Sequence, residues 1–209
     1  MNYKKILTLS FDDGVTQDVR FIELLDKYGI KCTFNLNSEL LGVSGCLNIN
    51  GKEIAHTKVL PEQVKELYKN HEVAAHTLTH PFLTQQTDEE ITRQVEQDRL
   101  NLSRLVGYDV RGFAYPGGGV NFSEHVASVI ESTTKVDFAR TITCSYNFDL
   151  QSEMYTFKPT ISFIKEKEKI LELCHNFIDL KTDKPKLFLI SSASVRSIPF
   201  LSFIEPRFA

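Results

Sequence analysis

Two adjacent carboxylates, Asp12 and Asp13, close an apolar run, Ile6-Leu7-Thr8-Leu9-Ser10-Phe11. Two histidines four residues apart, His76 and His80, follow another, Val73-Ala74-Ala75. Histidines at that spacing share one face of a helical turn, so both imidazoles can reach one ion. A carboxylate from another strand end makes a third protein ligand. Three protein ligands leave one position for water or substrate, the arrangement of a catalytic rather than a structural metal site. The second carboxylate of the pair is then placed to act as a base. The residues alone propose a metal-dependent hydrolase.

The elements that position these residues alternate. Strands are expected at Leu7–Phe11, Lys31–Leu36, Glu72–Ala75, Arg111–Tyr115, Val136–Ile142 and Lys186–Ile190. Helices are expected from Thr16, as cap, to Tyr28, from Pro61 to near Asn70, and from a Thr87/Glu90 capping box to about Val106. Two more are expected at Ser123 to about Glu131 and at Lys165–Leu180. This order predicts an α/β fold with a mainly parallel sheet, in one domain over residues 1–209. Asp12, Asp13, His76, His80 and Pro116 all follow strands, and a barrel-like α/β enzyme carries its site at those ends. Residues 37–60 are polar, contain glycine and show no clear period. They are read as an insertion near the mouth of the site. His56, inside it, and His71 and His125 lack a partner pattern and are read as structural or exposed, with approach to the metal as the alternative for His56.

Composition bounds the rest. The 209 residues are 42% hydrophobic and 24% charged, with a formal net charge of −3, so no bulk attraction to nucleic acid or to an anionic membrane is expected. No leader-like segment and no span of about 20 apolar residues stands out, so a cytoplasmic location is expected. Cys32, Cys46, Cys144 and Cys174 are irregularly spaced and are read as reduced thiols.

Ser10-Phe11-Asp12-Asp13-Gly14 resembles the Thr/Ser-Phe-Asp-Asp-Gly motif of the polysaccharide deacetylases, the carbohydrate esterases with a chitooligosaccharide-deacetylase (NodB-like) domain. His76-Thr77-Leu78-Thr79-His80-Pro81 resembles that family's His-Ser/Thr-x-x-x-His motif, and Tyr115-Pro116-Gly117 the end of its Arg-x-Pro-Tyr-Gly motif. The likeness covers roughly residues 5–145. It implies a deformed (β/α) barrel and hydrolysis of N- or O-acetyl groups on an acetylated sugar or related small molecule. It implies that Asp13, His76 and His80 bind a divalent metal, zinc foremost, and that Asp12 is the general base. Gly14 would let the loop turn beside the ion, and Thr77 would hydrogen-bond within the histidine loop. Tyr115, Pro116 and Gly117 would line the substrate site, with the Tyr115 backbone N–H as an oxyanion donor.

Three departures qualify the resemblance. The family's motif arginine aligns with Ala114, and Arg140, on the following strand, is the expected substitute that orients Asp12. Arg111 lies three residues upstream, where strand alternation turns it to the other face. The chain has no tryptophan, which the family's fourth motif uses. After Lys186–Ile190 it reads Ser191-Ser192-Ala193-Ser194-Val195-Arg196, without the histidine that serves the family as general acid. Residues 191–209 are thus an atypical, largely apolar tail, read as truncated or frame-shifted, with the barrel expected to stop short at its last strand. The alternative to a hydrolase is a catalytically weak or inactive relative that binds metal and carbohydrate.

Overall fold

The computed structural model describes residues 4–49, 51–163 and 167–193. Most of the atypical tail and the expected helix start at Lys165 lie outside them. The chain begins with β1 (Lys5–Asp12), α1 (Asp18–Lys27) and β2 (Cys32–Leu36). A hairpin, β3 (Cys46–Ile49) and β4 (Lys52–Ala55), is followed by α2 (Val64–Leu67) and β5 (Glu72–Ala75). The long central helix comes in three parts: α3 (Asp88–Thr92), a π-helical turn (Arg93–Gln97) and α4 (Asp98–Val106). Then follow β6 (Gly112–Ala114), α5 (Glu124–Thr133), β7 (Phe138–Arg140), β8 (Ile161–Ser162), α6 (Lys167–Asp179) and β9 (Lys186–Ser192).

Seven strands form one parallel sheet in the order β7-β6-β5-β2-β1-β9-β8, curled into a half-barrel. Alternation along each strand sorts its residues by face. Leu9 and Phe11 of β1 and Phe34 and Leu36 of β2 pack outward under the helices. The Phe11 and Phe21 rings stand 4.6 Å apart, and those of Phe34 and Tyr68 4.8 Å apart. Ser10, Asp12 and Asn35 alternate with them and face inward, so the concave side is polar where the outer side is a hydrophobic core. The seam of the half-barrel is bridged by one short segment. Phe157 exchanges backbone hydrogen bonds with β7 (to Ala139 O, 2.9 Å, and from Thr141 N, 2.8 Å), and four residues later β8 pairs with β9. With only two residues, β8 is too short to leave a pattern in the sequence.

Three expectations change. Residues 37–60 are not an aperiodic loop. They hold the β3–β4 hairpin, whose turn is closed by a bond from Gly51 N to Asn48 Oδ1 (3.0 Å). The Asn50-Gly51 dipeptide was the sequence signal for it. Thr16 does not cap α1, which starts at Asp18. The Thr16 backbone N–H is instead spent on Thr57 O (2.9 Å), tying the hairpin's exit to the loop after β1. Only half of the Thr87/Glu90 capping box forms: Thr87 Oγ1 accepts from Glu90 N, while the Glu90 carboxylate turns to Arg93 and Gln94. No disulfide joins the cysteines, and no helix among the described residues is long and apolar enough to cross a membrane.

Asp18 lies fully buried where α1 meets α2, accepting a bond from the Tyr68 hydroxyl (2.8 Å). Burial pushes its carboxyl up to about 8, against the Tyr68 bond, which favours the charged form. The folded protein therefore keeps a proton that the unfolded chain releases near pH 4. The associated stability is full in acid and is lost as pH rises toward 8. Urea denaturation should show wild-type stability falling between pH 5 and 8, and Asp18→Asn should remove about 2 kcal/mol of that fall. Equal slopes in the two proteins would contradict this.

Candidate active site

The carboxyl ends of β1, β5, β6, β7, β8 and β9 converge on one cavity of about 640 Å³. Asp12, the last residue of β1, points into it. Its Oδ1 accepts from Asn35 Nδ2 (2.8 Å) and from Arg140 Nη2. Arg140 closes β7, which three strands separate from β1 in the sheet, and is only 3% exposed. Its Nε donates to Ser10 Oγ (2.9 Å), which also accepts from Asn35 (2.9 Å). The structure thus brings Arg140 to Asp12 as expected, and adds Ser10 and Asn35. Strand alternation would have put Ser10 on the face of Asp12, but nothing in the sequence paired Asn35 with it. Arg111 is paired with Asp137 at the surface.

Asp13 turns the other way because its backbone is left-handed (φ 84°), and Gly14 continues the turn at φ 60°. A Cβ on Gly14 would stand 2.6 Å from Leu36 Cδ2, so only glycine fits this turn without displacing the core. His76 and His80 do not lie on a helical turn, as their spacing had suggested. They sit in an irregular loop after β5, with Thr77 (φ 70°) and His80 (φ 62°) also left-handed. The loop still brings them together, with ring centroids 5.0 Å apart. One ligand atom each from Asp13, His76 and His80 lie within 4.8 Å of one another. Left-handed backbone at non-glycine residues costs on the order of 1 kcal/mol or more each, and such strain gathers at functional sites.

What holds the histidine loop was not foreseen. Asn37 Nδ2 donates to the carbonyls of His76 (2.5 Å) and Thr77 (2.9 Å). Asp98, at the start of α4, accepts from His76 N (2.8 Å) and Ser38 N (2.7 Å). Complete burial pushes its carboxyl up to about 7, against those two bonds. In the π-helical turn, Gln94 O accepts from Leu78 N (3.1 Å), and the Gln94 side chain is bonded to Thr79. A π turn releases backbone groups from the helix ladder, and here one serves the site. Thr77 Oγ1 accepts from His80 N (3.1 Å), closing the loop on itself as expected.

The donor set fits a divalent ion. His76 Nδ1 is 2.7 Å from Ala114 O, and a carbonyl only accepts, so Nδ1 is the donor and Nε2 is the ring nitrogen left to face an ion. Burial and the neighbouring His76 hold the His80 imidazole down to about 4, so it is neutral, the ligating form, at pH 7. Burial raises the Asp13 carboxyl, but the positive potential of His76, Lys58, His80 and His56 outweighs it, and the group stays below the ordinary carboxylate value. Two of these neighbours come from the hairpin's exit. His56 Nε2 is 3.6 Å from Asp13 Oδ2, and Lys58 Nζ is 3.3 Å from Asp13 Oδ1. His56 thus takes the alternative its place in the insertion allowed and stands at the site, and Lys58 was not anticipated.

The third motif contributes less than expected. Gly117 lines the cavity with Gly118 and Gly119, and Phe82 packs over it so closely that a Cβ there would meet the ring at 2.5 Å. Tyr115 and Pro116 do not line it. Tyr115 is buried against Phe113 and Phe122, and its hydroxyl donates to Tyr155 O (2.8 Å). Its backbone N–H, the expected oxyanion donor, is committed to Arg140 O (3.0 Å) in the sheet. On the β9 side the cavity ends in Ser191, Ser192 and Ala193.

A model of the polysaccharide deacetylase family matches residues 2–134, well over half of the chain. The chain belongs to the polysaccharide deacetylase family. It is 30% identical over 120 residues to the peptidoglycan-N-acetylglucosamine deacetylase PgdA of Listeria monocytogenes. That match covers 56% of this chain and 22% of PgdA, so the chain spans about a fifth of the curated relatives it matches. Among solved structures, the Streptococcus pyogenes deacetylase PplD in complex with acetate superposes with a TM-score of 0.57 at 20% identity, over 68% of this chain and 58% of that one. The wild-type Bacillus anthracis protein BA3943, described as a pseudoenzyme of carbohydrate esterase family 4, superposes with a TM-score of 0.59 at 17% identity, over 98% and 60%. At these identities the superpositions establish the shared deformed barrel. The family match ends at residue 134, before β7, so this deacetylase-family chain draws Arg140 from outside the matched segment.

Removing one partner of a buried ion pair leaves the other charge uncompensated. Arg140→Met should therefore destabilise the fold by about 3 kcal/mol in chemical denaturation at pH 7. A loss below about 1 kcal/mol would show that Asp12 does not depend on it.

Proposed function

We propose that this chain is a metal-dependent hydrolase that removes acetyl groups from a carbohydrate or a related amide. The observation that carries the reading is the gathering of Asp13, His76 and His80 around one point, beside a second carboxylate, Asp12, fixed by Arg140 within the same cavity. A divalent ion, zinc foremost, would be held by Asp13, His76 and His80, where it supplies Lewis-acid polarisation and a water acidic enough to lose its proton near neutrality. Asp12 is the base that takes that proton. Among the described residues both of its side-chain bonds fall on Oδ1, which leaves Oδ2 for the task. Arg140 keeps Asp12 oriented toward the cavity. The glycines at 117–119 form a wall without side chains, where a sugar ring can approach the backbone, and Phe82 stands beside them.

Among the described residues the end of β9 offers serines in place of an acid. Asp12, once protonated, is then the group that returns the proton to the leaving amine or alcohol. The same observation favours a second reading, a weak or inactive relative that still binds metal and sugar. Acetate release separates the two. Zinc-loaded protein should liberate acetate from N-acetylglucosamine oligomers or peptidoglycan fragments, and Asp12→Asn should slow it by about 10²–10⁴-fold. Wild-type release no faster than that of Asp12→Asn would favour the inactive relative.

A further inference from the structure

The hairpin's exit carries a lysine to the very carboxylate that the metal reading requires. Lys58 is 8% exposed, and its ammonium lies 3.3 Å from Asp13 Oδ1, the same oxygen that stands 3.8 Å from His80 Nε2. Its backbone is fixed on both sides. Lys58 N donates to Val43 O (2.9 Å), Thr16 N to Thr57 O (2.9 Å) and Val59 N to Gly14 O (2.9 Å). The lysine stem is thus anchored to the turn that carries Asp13, and its presence at the site is a consequence of hairpin pairing rather than of a free surface chain.

We infer that Lys58 is an internal competitor for the divalent cation: it holds Asp13 when no ion does, and it weakens cation binding by Asp13, His76 and His80. The inference rests on the proposed metal site. An ammonium has three donors and no lone pair, so it cannot join the ligand set. Beside a dication it is repelled, and more strongly at a buried position than in water. The ammonium sits on the Asp13 oxygen that lies 3.8 Å from His80 Nε2, so an ion held between Asp13 and His80 must face Lys58 or displace it. The cavity that Lys58 lines gives it room to withdraw. In the metal-free protein the same contact is favourable, because it neutralises a buried carboxylate held on a left-handed backbone. Lys58 therefore acts with opposite sign on metal-free stability and on cation affinity. A lysine of purely structural value would support both.

The test is zinc titration of chelator-stripped protein by calorimetry, with thermal unfolding of the same metal-free samples. Lys58→Met should bind zinc about tenfold or more tightly than wild type and melt at a lower temperature without metal. Lys58→Arg, which keeps the charge, should stay within a few-fold of wild type. Should Lys58→Met not fold, Lys58→Gln keeps a donor to Asp13 without the charge and should show the same tightening. Equal or weaker binding by the uncharged variants would overturn the competitor role alone, leaving the metal site intact. Absence of zinc binding in every folded variant and in wild type would overturn the metal-hydrolase reading together with it.

Discussion

Arg140 reaches across the concave face of the sheet to Asp12, with Ser10 and Asn35 completing the bonds around the pair. A sheet whose inner face carries a carboxylate and a guanidinium is stable only when each meets the other, because either alone would be a buried, unpaired charge. The pair fixes the end of β1 relative to the end of β7, with three strands between them, and the curl of the half-barrel brings these ends within reach. It also sets the orientation of Asp12, whose neighbour Asp13 is turned toward the histidines by its left-handed backbone. The division of labour between the two carboxylates follows: one is held by the arginine, the other is available to an ion.

The histidine loop is constrained in a second way. Its residues adopt no regular structure, so their backbone groups need partners from elsewhere. Asn37 supplies contacts from the segment after β2, and Gln94 and Asp98 from the central helix, with Ser38 N bonded in turn to Asp98. The helix departs from α geometry at the point where a carbonyl is released to the loop. Site and scaffold are thereby linked over a short path, and the strained backbone at Thr77 and His80 is over-determined by its neighbours.

Much of this was legible in the sequence. Apolar runs ending in Asp12-Asp13 and in His76 marked strand ends, and strand ends in an α/β fold mark the site. Arg140 could be nominated because the position of Ala114 lacked an arginine and the next strand offered one. The histidine spacing led to the right cluster for a wrong reason, since a helical turn and a kinked loop both bring residues i and i+4 together. Asn35, Asn37 and Asp98 carried no local signal, because their partners are fixed by tertiary packing alone. The hairpin was easy to miss because its strands have four residues each, with alternation limited to Leu47, Ile49 and Ile54, so the Asn50-Gly51 dipeptide was the main signal left to read. Lys58 went unseen with it. Tyr115 shows the opposite error, in which a motif position implied a site residue and the sheet took its N–H instead.

The central claim is that Asp13, His76 and His80 hold one divalent ion while Asp12 stays on Arg140. A crystal of the zinc-loaded protein, with anomalous differences collected at the zinc edge, tests it most directly. One peak within about 2.2 Å of an oxygen of Asp13 and a nitrogen of each histidine, with Asp12 still bonded to Arg140, is the predicted result. A peak coordinated by Asp12 in place of Asp13, or no peak between the two histidines, would contradict it.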